Sequence, residues 1–201
     1  MRIFFIRHGE TTGDIEDRYG GDYDDHLSEK GLQQSRKLSE ILNRKGIEII
    51  LSSPLIRAQE TSQILAQVIG CDVVTVPELK ERNQYGILTG MVKADAKQAY
   101  PESVELLKDK YNTIEEGESY LDFTNRLQNI FKRLTDDATH DVIAIVSHGG
   151  GFRALFRDIL TWGELKEVGD CSFVELEYRG LTFSYIDSSG IVPDFEWNTH
   201  R

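Results

Sequence analysis

Short apolar runs alternate with longer amphipathic stretches through most of this 201-residue chain. The runs at 3–6, 47–51, 73–76 and 142–146 have the length and the Ile, Val and Phe content of buried strands. The stretches between them space apolar residues three or four apart, as expected for helices that cover a sheet. This alternation predicts an α/β fold with a mostly parallel sheet and right-handed crossovers.

Capping residues mark where the predicted helices begin. Ser28 is an N-cap for a helix over 29–45. The dipeptide Ser53-Pro54 predicts an N-cap followed by the first position of the next helix. Ser119, with an acidic residue three positions later, resembles a capping box at the start of a further helix.

The region 78–118 interrupts the alternation of strands and helices. It contains many charges, several glycines and Pro101, and only short helical pieces are predicted, at 92–99 and 102–110. An excursion of this length in a compact domain is usually a functional lid or a small subdomain. We therefore expect a single domain over 1–201 that carries a lid-like excursion.

The C-terminal part of the chain predicts a hairpin. Segments 173–178 and 181–186 contain strand-forming residues and are joined by Arg179-Gly180. Such a hairpin adds an antiparallel edge strand to the sheet. The complete expectation is a three-layer α/β/α sandwich with a mostly parallel central sheet.

The composition is that of a globular protein, with 39% hydrophobic and 28% charged residues. The formal net charge is −11, from 34 acidic and 23 basic residues. A polyanion is repelled by such a chain on average, so nucleic acid is not an expected partner. A small anion can still enter a locally basic pocket.

Cys71 and Cys171 lie far apart and lack metal-ligand spacing, so both are expected to be reduced. The first apolar run has only four residues and does not predict a signal peptide, and no run is long enough to cross a membrane. We expect a cytoplasmic protein without a membrane partner. The sequence leaves the choice between a monomer and a homodimer open.

Charged and imidazole side chains follow the ends of three predicted strands. Arg7 and His8 come directly after the first strand, Arg57 lies just after the second, and His148 follows the strand at 142–146. Carboxyl ends of parallel strands share one sheet edge, where ligands bind in α/β folds, so these side chains can converge. Arginine guanidinium groups and the N–H groups of a glycine-rich helix N-terminus both bind tetrahedral oxyanions. This edge of the sheet is therefore a candidate phosphate pocket.

Five segments together resemble the motifs of the histidine phosphatase superfamily, the phosphoglycerate-mutase-like group. They occur in the family order and cover residue 1 to about 160. The segments are Arg7-His8-Gly9-Glu10-Thr11, Asp24 to Gly31, Ser52 to Thr61, the stretch from Leu79 through Gly90, and Ser147-His148-Gly149. Agreement of five ordered motifs is far more specific than any single short match.

The resemblance implies a phosphohistidine mechanism. His8 is then the nucleophile, and Glu81 is the general acid for the leaving alcohol and the base for the attacking water. Arg7, Arg57, a protonated His148 and the backbone at Gly149 are implied to stabilise the phosphate. No metal or other cofactor is implied, because the arginines supply the positive charge.

The same resemblance implies further contacts to a small phosphorylated substrate. These contacts are Thr11, Asp14, Arg82, Tyr85 and Lys93. Asp14 departs from the pattern because the family commonly has Asn there, and an ionised carboxylate cannot donate a hydrogen bond to phosphate. His26, His140 and His200 have no motif around them and are interpreted as bystanders.

Three functions remain open at this point, of which a phosphatase is favoured. A cofactor-dependent phosphoglycerate mutase is the main alternative, since Arg82, Tyr85 and Lys93 resemble mutase substrate contacts. Against it, residues 100–118 contain no arginine, whereas such mutases usually carry paired arginines in a longer insertion. An inactive phosphate-binding module is the third possibility.

Overall fold

The computed structural model describes residues 1–136 and 139–196, so His200 lies outside the described residues. Six strands form one sheet in the order β3-β2-β4-β1-β5-β6. The first four are mutually parallel, while β5 runs antiparallel to β1 and β6 antiparallel to β5. The strands are β1 (Arg2–Arg7), β2 (Ile49–Ser52), β3 (Asp72–Thr75), β4 (Val142–Ser147), β5 (Leu165–Arg179) and β6 (Thr182–Pro193). The predicted fold class is confirmed, although the strand that runs against the others, β5, is not the edge strand, because β6 pairs outside it.

Helices cover both faces of this sheet. The helices are α1 (Thr12–Ile15), α2 (Glu29–Leu42), α3 (Ile56–Ile69), α4 (Lys93–Ala99), α5 (Pro101–Leu106), α6 (Tyr120–Asp136) and α7 (Gly149–Ala154), which continues as a π-helix over Leu155–Ile159. No helix in the described ranges is long and apolar enough to cross a membrane.

The alternation of side chains along β1 shows why three layers form. Ile3 and Phe5 pack into one apolar cluster with α6 and α7, and Phe4 and Ile6 pack into a second cluster with α2 and α3. All four side chains are fully buried. Successive strand residues point to opposite faces, so an uninterrupted apolar strand requires cover on both sides.

Two predicted helix boundaries are corrected by the structure. The helix predicted to begin at Ser53-Pro54 begins at Ile56, because the Ser53 hydroxyl accepts from the backbone N–H of Leu55 at 3.3 Å and holds a turn before it. The helix predicted over 29–45 ends at Leu42. The N-cap of that helix is confirmed, since Ser28 Oγ accepts from the Gly31 N–H at 3.0 Å.

The excursion between β3 and α6 folds around a small apolar cluster of its own. Leu88, Ala96 and Ile114 form its buried centre, and Tyr19 and Tyr85 pack against it with ring centroids 4.8 Å apart. The short helices α4 and α5 lie close to the predicted pieces. A separate cluster gives this region a defined shape over the sheet edge.

The predicted hairpin is present but longer than expected. β5 and β6 meet at Gly180 and Leu181, which both have positive φ, as a tight two-residue turn requires. The pairing of the two strands is irregular between Val168 and Phe173, where β5 contains a bulge. The bulge turns backbone and side-chain groups of β5 toward the end of β1.

Candidate active site

The end of β1 and the end of β4 bring two histidines together. The His8 N–H donates to the Ser147 carbonyl at 3.2 Å, which aligns the strand ends. The rings of His8 and His148 have centroids 5.0 Å apart, and both side chains are buried. Arg7 and Arg57 lie beside them, so the predicted convergence of four residues is observed.

The hydrogen bonds of His8 fix which ring nitrogen carries the proton and which has the lone pair. Nδ1 lies 2.7 Å from the Gly9 carbonyl oxygen, which only accepts, so Nδ1 carries the proton. Nε2 accepts from Arg57 Nε–H at 3.1 Å and therefore has a lone pair. Burial, together with Arg57 and Arg7, lowers the pKa of His8 well below its usual value. The ring is neutral near pH 7, as a nucleophile must be.

Arg57 is buried and held rigidly by groups of the loop before α2. Its Nη1 donates to Asp25 at 2.9 Å and to the Tyr23 carbonyl, and its Nη2 donates to the Gly21 carbonyl at 2.7 Å. The side chains of Arg57 and Asp25 are each 4% exposed, so this is a buried ion pair. The pair fixes the Arg57 guanidinium against His8.

Arg7 is oriented by the bulge in β5. Its Nη1 donates to the Val168 carbonyl at 2.6 Å and lies 3.2 Å from Asp170 Oδ1. Its Nε is buried and has no hydrogen-bond partner among the described residues. This N–H is therefore available to an oxyanion that binds next to His8.

The surroundings of His148 disfavour the protonated ring that the family resemblance implies. Burial is the main reason that its pKa lies well below the usual value, and Arg57 adds to the shift. Its Nε2 lies 2.7 Å from Ser53 Oγ, and its Nδ1 is buried without a partner among the described residues. A bound phosphate dianion would favour the protonated form, because an adjacent opposite charge raises the pKa of an imidazole.

Glu81 is positioned by two backbone N–H groups. Oε1 accepts from the Arg82 N–H and Oε2 accepts from the Gly150 N–H, each at 2.8 Å. The second donor lies in the first turn of α7, whose N-terminus also faces the site. The carboxylate thus lies at the site, beside Gly149, as predicted.

Two adjacent cavities open at this edge of the sheet. The inner cavity, of about 210 Å³, contains the reactive histidine and the guanidinium groups around it. Its lining includes Arg7, His8, Thr11, Asp14, Arg18, Asp25, Arg57, Glu81, Tyr85, Lys93 and Gly149.

The outer cavity, of about 330 Å³, extends from Glu81 between the excursion and α7. Its lining includes Arg7, Glu81, Arg82, Gln84, Tyr85, Lys110, Tyr120, Phe123, Gly149, Arg153 and Arg157. The two cavities share Arg7, Glu81, Gln84, Tyr85 and Gly149. Within the described ranges, no three His, Cys, Asp or Glu side chains are placed to hold a metal ion.

Thr11 and Asp14 line the inner cavity, but they bond to each other. Asp14 Oδ2 accepts from both the backbone N–H and the hydroxyl of Thr11 at 3.0 Å, and the Thr11 hydroxyl accepts from the Asp14 N–H. The pair is a capping box for α1. Asp14 Oδ2 therefore acts as an acceptor here, and the Thr11 hydroxyl already has an acceptor.

Arg82 is bonded to the backbone of the excursion while it also lines the outer cavity, so its role as a substrate contact stays a prediction. Its guanidinium donates to the backbone carbonyls of Glu118, Lys110 and Asn112, at 3.0, 2.7 and 3.3 Å. The residue is 4% exposed and ties together the two ends of the excursion. These three bonds give Arg82 a structural role in the excursion.

Tyr85 and Lys93 lie at the rim. Tyr85 lines both cavities, and burial raises the pKa of its hydroxyl. Lys93 lines the inner cavity while its Nζ pairs with Asp17. Both residues remain within reach of a ligand that fills the cavities.

Sequence reasoning misses three residues that orient the catalytic side chains, as well as lining residues such as Arg18 and Gln84. Asp25 lies in one of the five motifs beside a second aspartate, and nothing in the pattern distinguishes the buried one. Ser53 is predicted only as a helix cap, although it bonds His148. Asp170 carries no sequence signal, because its approach to Arg7 depends on the β5 bulge.

Comparisons with known proteins agree with the family that the five motifs resemble. The family model described as the histidine phosphatase superfamily (branch 1) matches residues 3–186, a range that includes all five motifs. A protein of Escherichia fergusonii named "probable phosphoglycerate mutase GpmB" is 29% identical over 184 residues, covering 89% of this chain and 86% of that protein. A protein of Proteus mirabilis with the same name is 29% identical over 187 residues, with the same coverage of both chains.

Two solved structures share the fold. The mycobacterial glucosyl-3-phosphoglycerate phosphatase in complex with VO3 has a TM-score of 0.80 and 25% identity, covering 92% of this chain and 96% of that one. The alpha-ribazole phosphatase from Shigella flexneri has a TM-score of 0.84 and 23% identity, covering 98% of this chain and 100% of that one.

Proposed function

Since the chain belongs to the histidine phosphatase superfamily, we propose that it hydrolyses phosphate monoesters of a small metabolite through a phosphohistidine at His8. The class of enzyme, a phosphoric monoester hydrolase, follows from the family and its phosphatase neighbours. The observation that carries the mechanism is the His8 ring, which is buried and neutral, with Nε2 unprotonated.

In the first step the Nε2 lone pair attacks phosphorus and the bond from phosphorus to the ester oxygen breaks. Glu81, in its protonated form, gives its proton to the departing oxygen, so an alcohol leaves. The N–H groups of Arg7 and Arg57 stabilise the charge on the transferring phosphoryl group. His148 adds a donor at this point once the phosphate dianion has raised its pKa.

In the second step water attacks the phosphohistidine. The Glu81 carboxylate takes a proton from the water while the bond between phosphorus and Nε2 breaks. His8 returns to its neutral form, and inorganic phosphate leaves. The arginines supply the positive charge, so the proposal requires no metal ion.

The names of similar proteins support a substrate of small size and leave its identity open. One neighbour acts on a glucosyl-3-phosphoglycerate, and the relatives of Escherichia and Proteus are named as probable phosphoglycerate mutases. The mutase is therefore the second candidate. A mutase must retain the phosphoryl group and return it to a substrate, whereas a phosphatase releases it to water.

The test uses an aryl phosphate in the presence of a chelator, with the wild type, His8→Ala and His26→Ala. His26 is an exposed histidine paired with Glu60, which makes it a matched control. Loss of the nucleophile is expected to lower kcat by about 1,000-fold or more, because catalysis by this route is abolished. His26→Ala is expected to retain wild-type activity.

A phosphoryl group on His8, detected by mass spectrometry after rapid quenching, would identify the intermediate. If the wild type and His8→Ala are equally inert across a panel of esters, the protein is a binding module. Incubation with 3-phosphoglycerate separates the two enzyme candidates, since a phosphatase releases inorganic phosphate and a mutase forms 2-phosphoglycerate.

A further inference from the structure

The outer cavity is the space available to the leaving group of the proposed reaction. Glu81 lines both cavities and is the residue that protonates the departing oxygen, so the ester oxygen lies where they meet. The phosphoryl group occupies the inner cavity beside His8 and Arg57. The remainder of the substrate must then extend toward Tyr120, Arg153 and Arg157.

The lining of the outer cavity is basic although the chain carries a net charge of −11. Its charged members are Arg7, Arg82, Lys110, Arg153 and Arg157, with Glu81 as the acidic one. A basic lining in an acidic protein concentrates small anions at the site.

Arg153 differs from the other cations of this lining. Arg82 has no carboxylate partner among the described residues, but its Nε, Nη1 and Nη2 each donate to a backbone carbonyl. Arg7 pairs with Asp170, while Arg157 and Lys110 both pair with Glu164. Arg153 donates to the Leu165 carbonyl and has no carboxylate within ion-pair distance among the described residues. Its half-buried guanidinium therefore retains donors and an unbalanced positive charge.

Arg153 lies on the side of α7 that a bound substrate would contact. It follows Gly149 by four residues on α7, and side chains four apart lie on the same helix face. Gly149 lines both cavities, so this face of α7 leads from the phosphoryl position into the outer cavity. The rings of Tyr85, Tyr120 and Phe123 form the apolar part of the same lining.

We propose that the leaving group of the substrate carries a carboxylate and that Arg153 binds it. The natural substrate class is thus the phosphate monoesters of hydroxy acids rather than of neutral alcohols. An arginine fork and a carboxylate form two parallel hydrogen bonds, which makes this pair selective as well as strong. The inference rests on the proposed phosphatase function and adds the class of substrate to it.

The test measures kcat/KM for two matched pairs of esters. The members of each pair differ in charge, and the two pairs differ in the distance between the phosphate and the carboxylate. 3-Phosphoglycerate is compared with glycerol 3-phosphate, and 4-carboxyphenyl phosphate with 4-carbamoylphenyl phosphate. The wild type is expected to prefer the carboxylate by about 10-fold or more in at least one pair, as a hydrogen-bonded ion pair predicts. Arg153→Gln is expected to abolish that preference, and Arg153→Lys to restore part of it.

Arg44→Gln is the control, because it removes one exposed arginine at the C-terminal end of α2, away from the cavities. A wild type that hydrolyses both members of each pair equally, or a preference that survives Arg153→Gln, overturns the assignment of Arg153 and leaves the phosphatase proposal intact. A wild type that hydrolyses none of the esters overturns both. Thermal unfolding of each variant verifies that the substitutions leave the fold in place.

Discussion

At the scale of single residues, Gly150 and Glu81 fit together without room for another atom. A Cβ at position 150 would lie 2.2 Å from Glu81 Oε1, so any side chain there displaces the carboxylate. Gly150→Ala is therefore expected to lower kcat by about 100-fold, at the lower end of the contribution of a general acid. The free energy of unfolding should change by no more than about 1 kcal/mol, since alanine favours the helix.

A double-mutant cycle checks this explanation. If Gly150→Ala acts only by moving Glu81, it should have almost no further effect on kcat in a Glu81→Gln background. Additive losses in the double variant would contradict the explanation. Urea unfolding of all three variants gives the stability comparison.

The buried pair of Asp25 and Arg57 makes a second prediction at this scale. Asp25→Asn removes the charge that balances Arg57, and an unpaired buried charge costs about 3 to 5 kcal/mol of stability. The activity should fall as well, because Arg57 then loses its orientation toward His8. Asp24→Asn is the control, since Asp24 is exposed and accepts from the Ile56 N–H, a bond that the amide oxygen can keep. Urea unfolding and kcat of the two variants measure the difference.

The residues that sequence reasoning can locate are those whose position follows from strand ends. Arg7, His8 and His148 follow directly from strands β1 and β4, and a parallel sheet brings such positions to one edge. The carbonyl bonds of Arg82 could not be predicted, because its three partners belong to loops whose course no periodicity describes. Asp14 likewise forms a cap, since local hydrogen bonding by a short acid competes with contacts to a ligand.

At the scale of elements, the excursion depends on Arg82 for its attachment to the sheet edge. Arg82→Gln is expected to destabilise the protein by about 2 to 4 kcal/mol, because several buried carbonyls lose a charged donor. Amide hydrogen exchange should rise selectively in residues 110–118. Lys108→Gln, an exposed cation of the same excursion that pairs with Glu105, is the control. Unchanged exchange in 110–118 would show that Arg82 is not the anchor.

The elements themselves are predictable to the extent that apolar periodicity marks them. The positions of the four parallel strands are predicted to within a few residues. Strands β1, β2 and β4 are apolar and central as expected, whereas β3 lies at the sheet edge and is mostly exposed rather than buried. The β5 bulge is not predictable, because pairing irregularities depend on both strands rather than on the pattern of one. The start of α3 at Ile56 is missed because Ser53 bonds a backbone group two residues on and not three.

At the scale of the whole molecule, the two active-site histidines link stability to pH. Burial keeps the pKa values of His8 and His148 well below their unfolded values near 6.5. The unfolded chain therefore binds protons that the native protein does not, and stability falls as the pH drops below about 6.5. Each histidine contributes up to about 1.36 kcal/mol per pH unit to this slope.

Urea unfolding between about pH 6.5 and 5 measures the slope above the range where most carboxylates titrate. The wild type should lose stability more steeply than the double variant His8→Gln, His148→Gln. His26 acts in the opposite direction, because Glu60 raises its pKa, but it is present in both proteins. Equal slopes in the two proteins would mean that neither buried ring resists protonation.

Because β5 orients Arg7, the C-terminal hairpin cannot be exchanged freely between members of the family. Val168 and Asp170 orient an arginine that lies more than 160 positions earlier in the chain. A chimaera that takes its hairpin from another member of the family therefore replaces part of the phosphate site together with the sheet edge. Such grafts should remain active only where the incoming segment preserves the bulge and an acid at position 170, so the natural exchange point lies beyond Phe173.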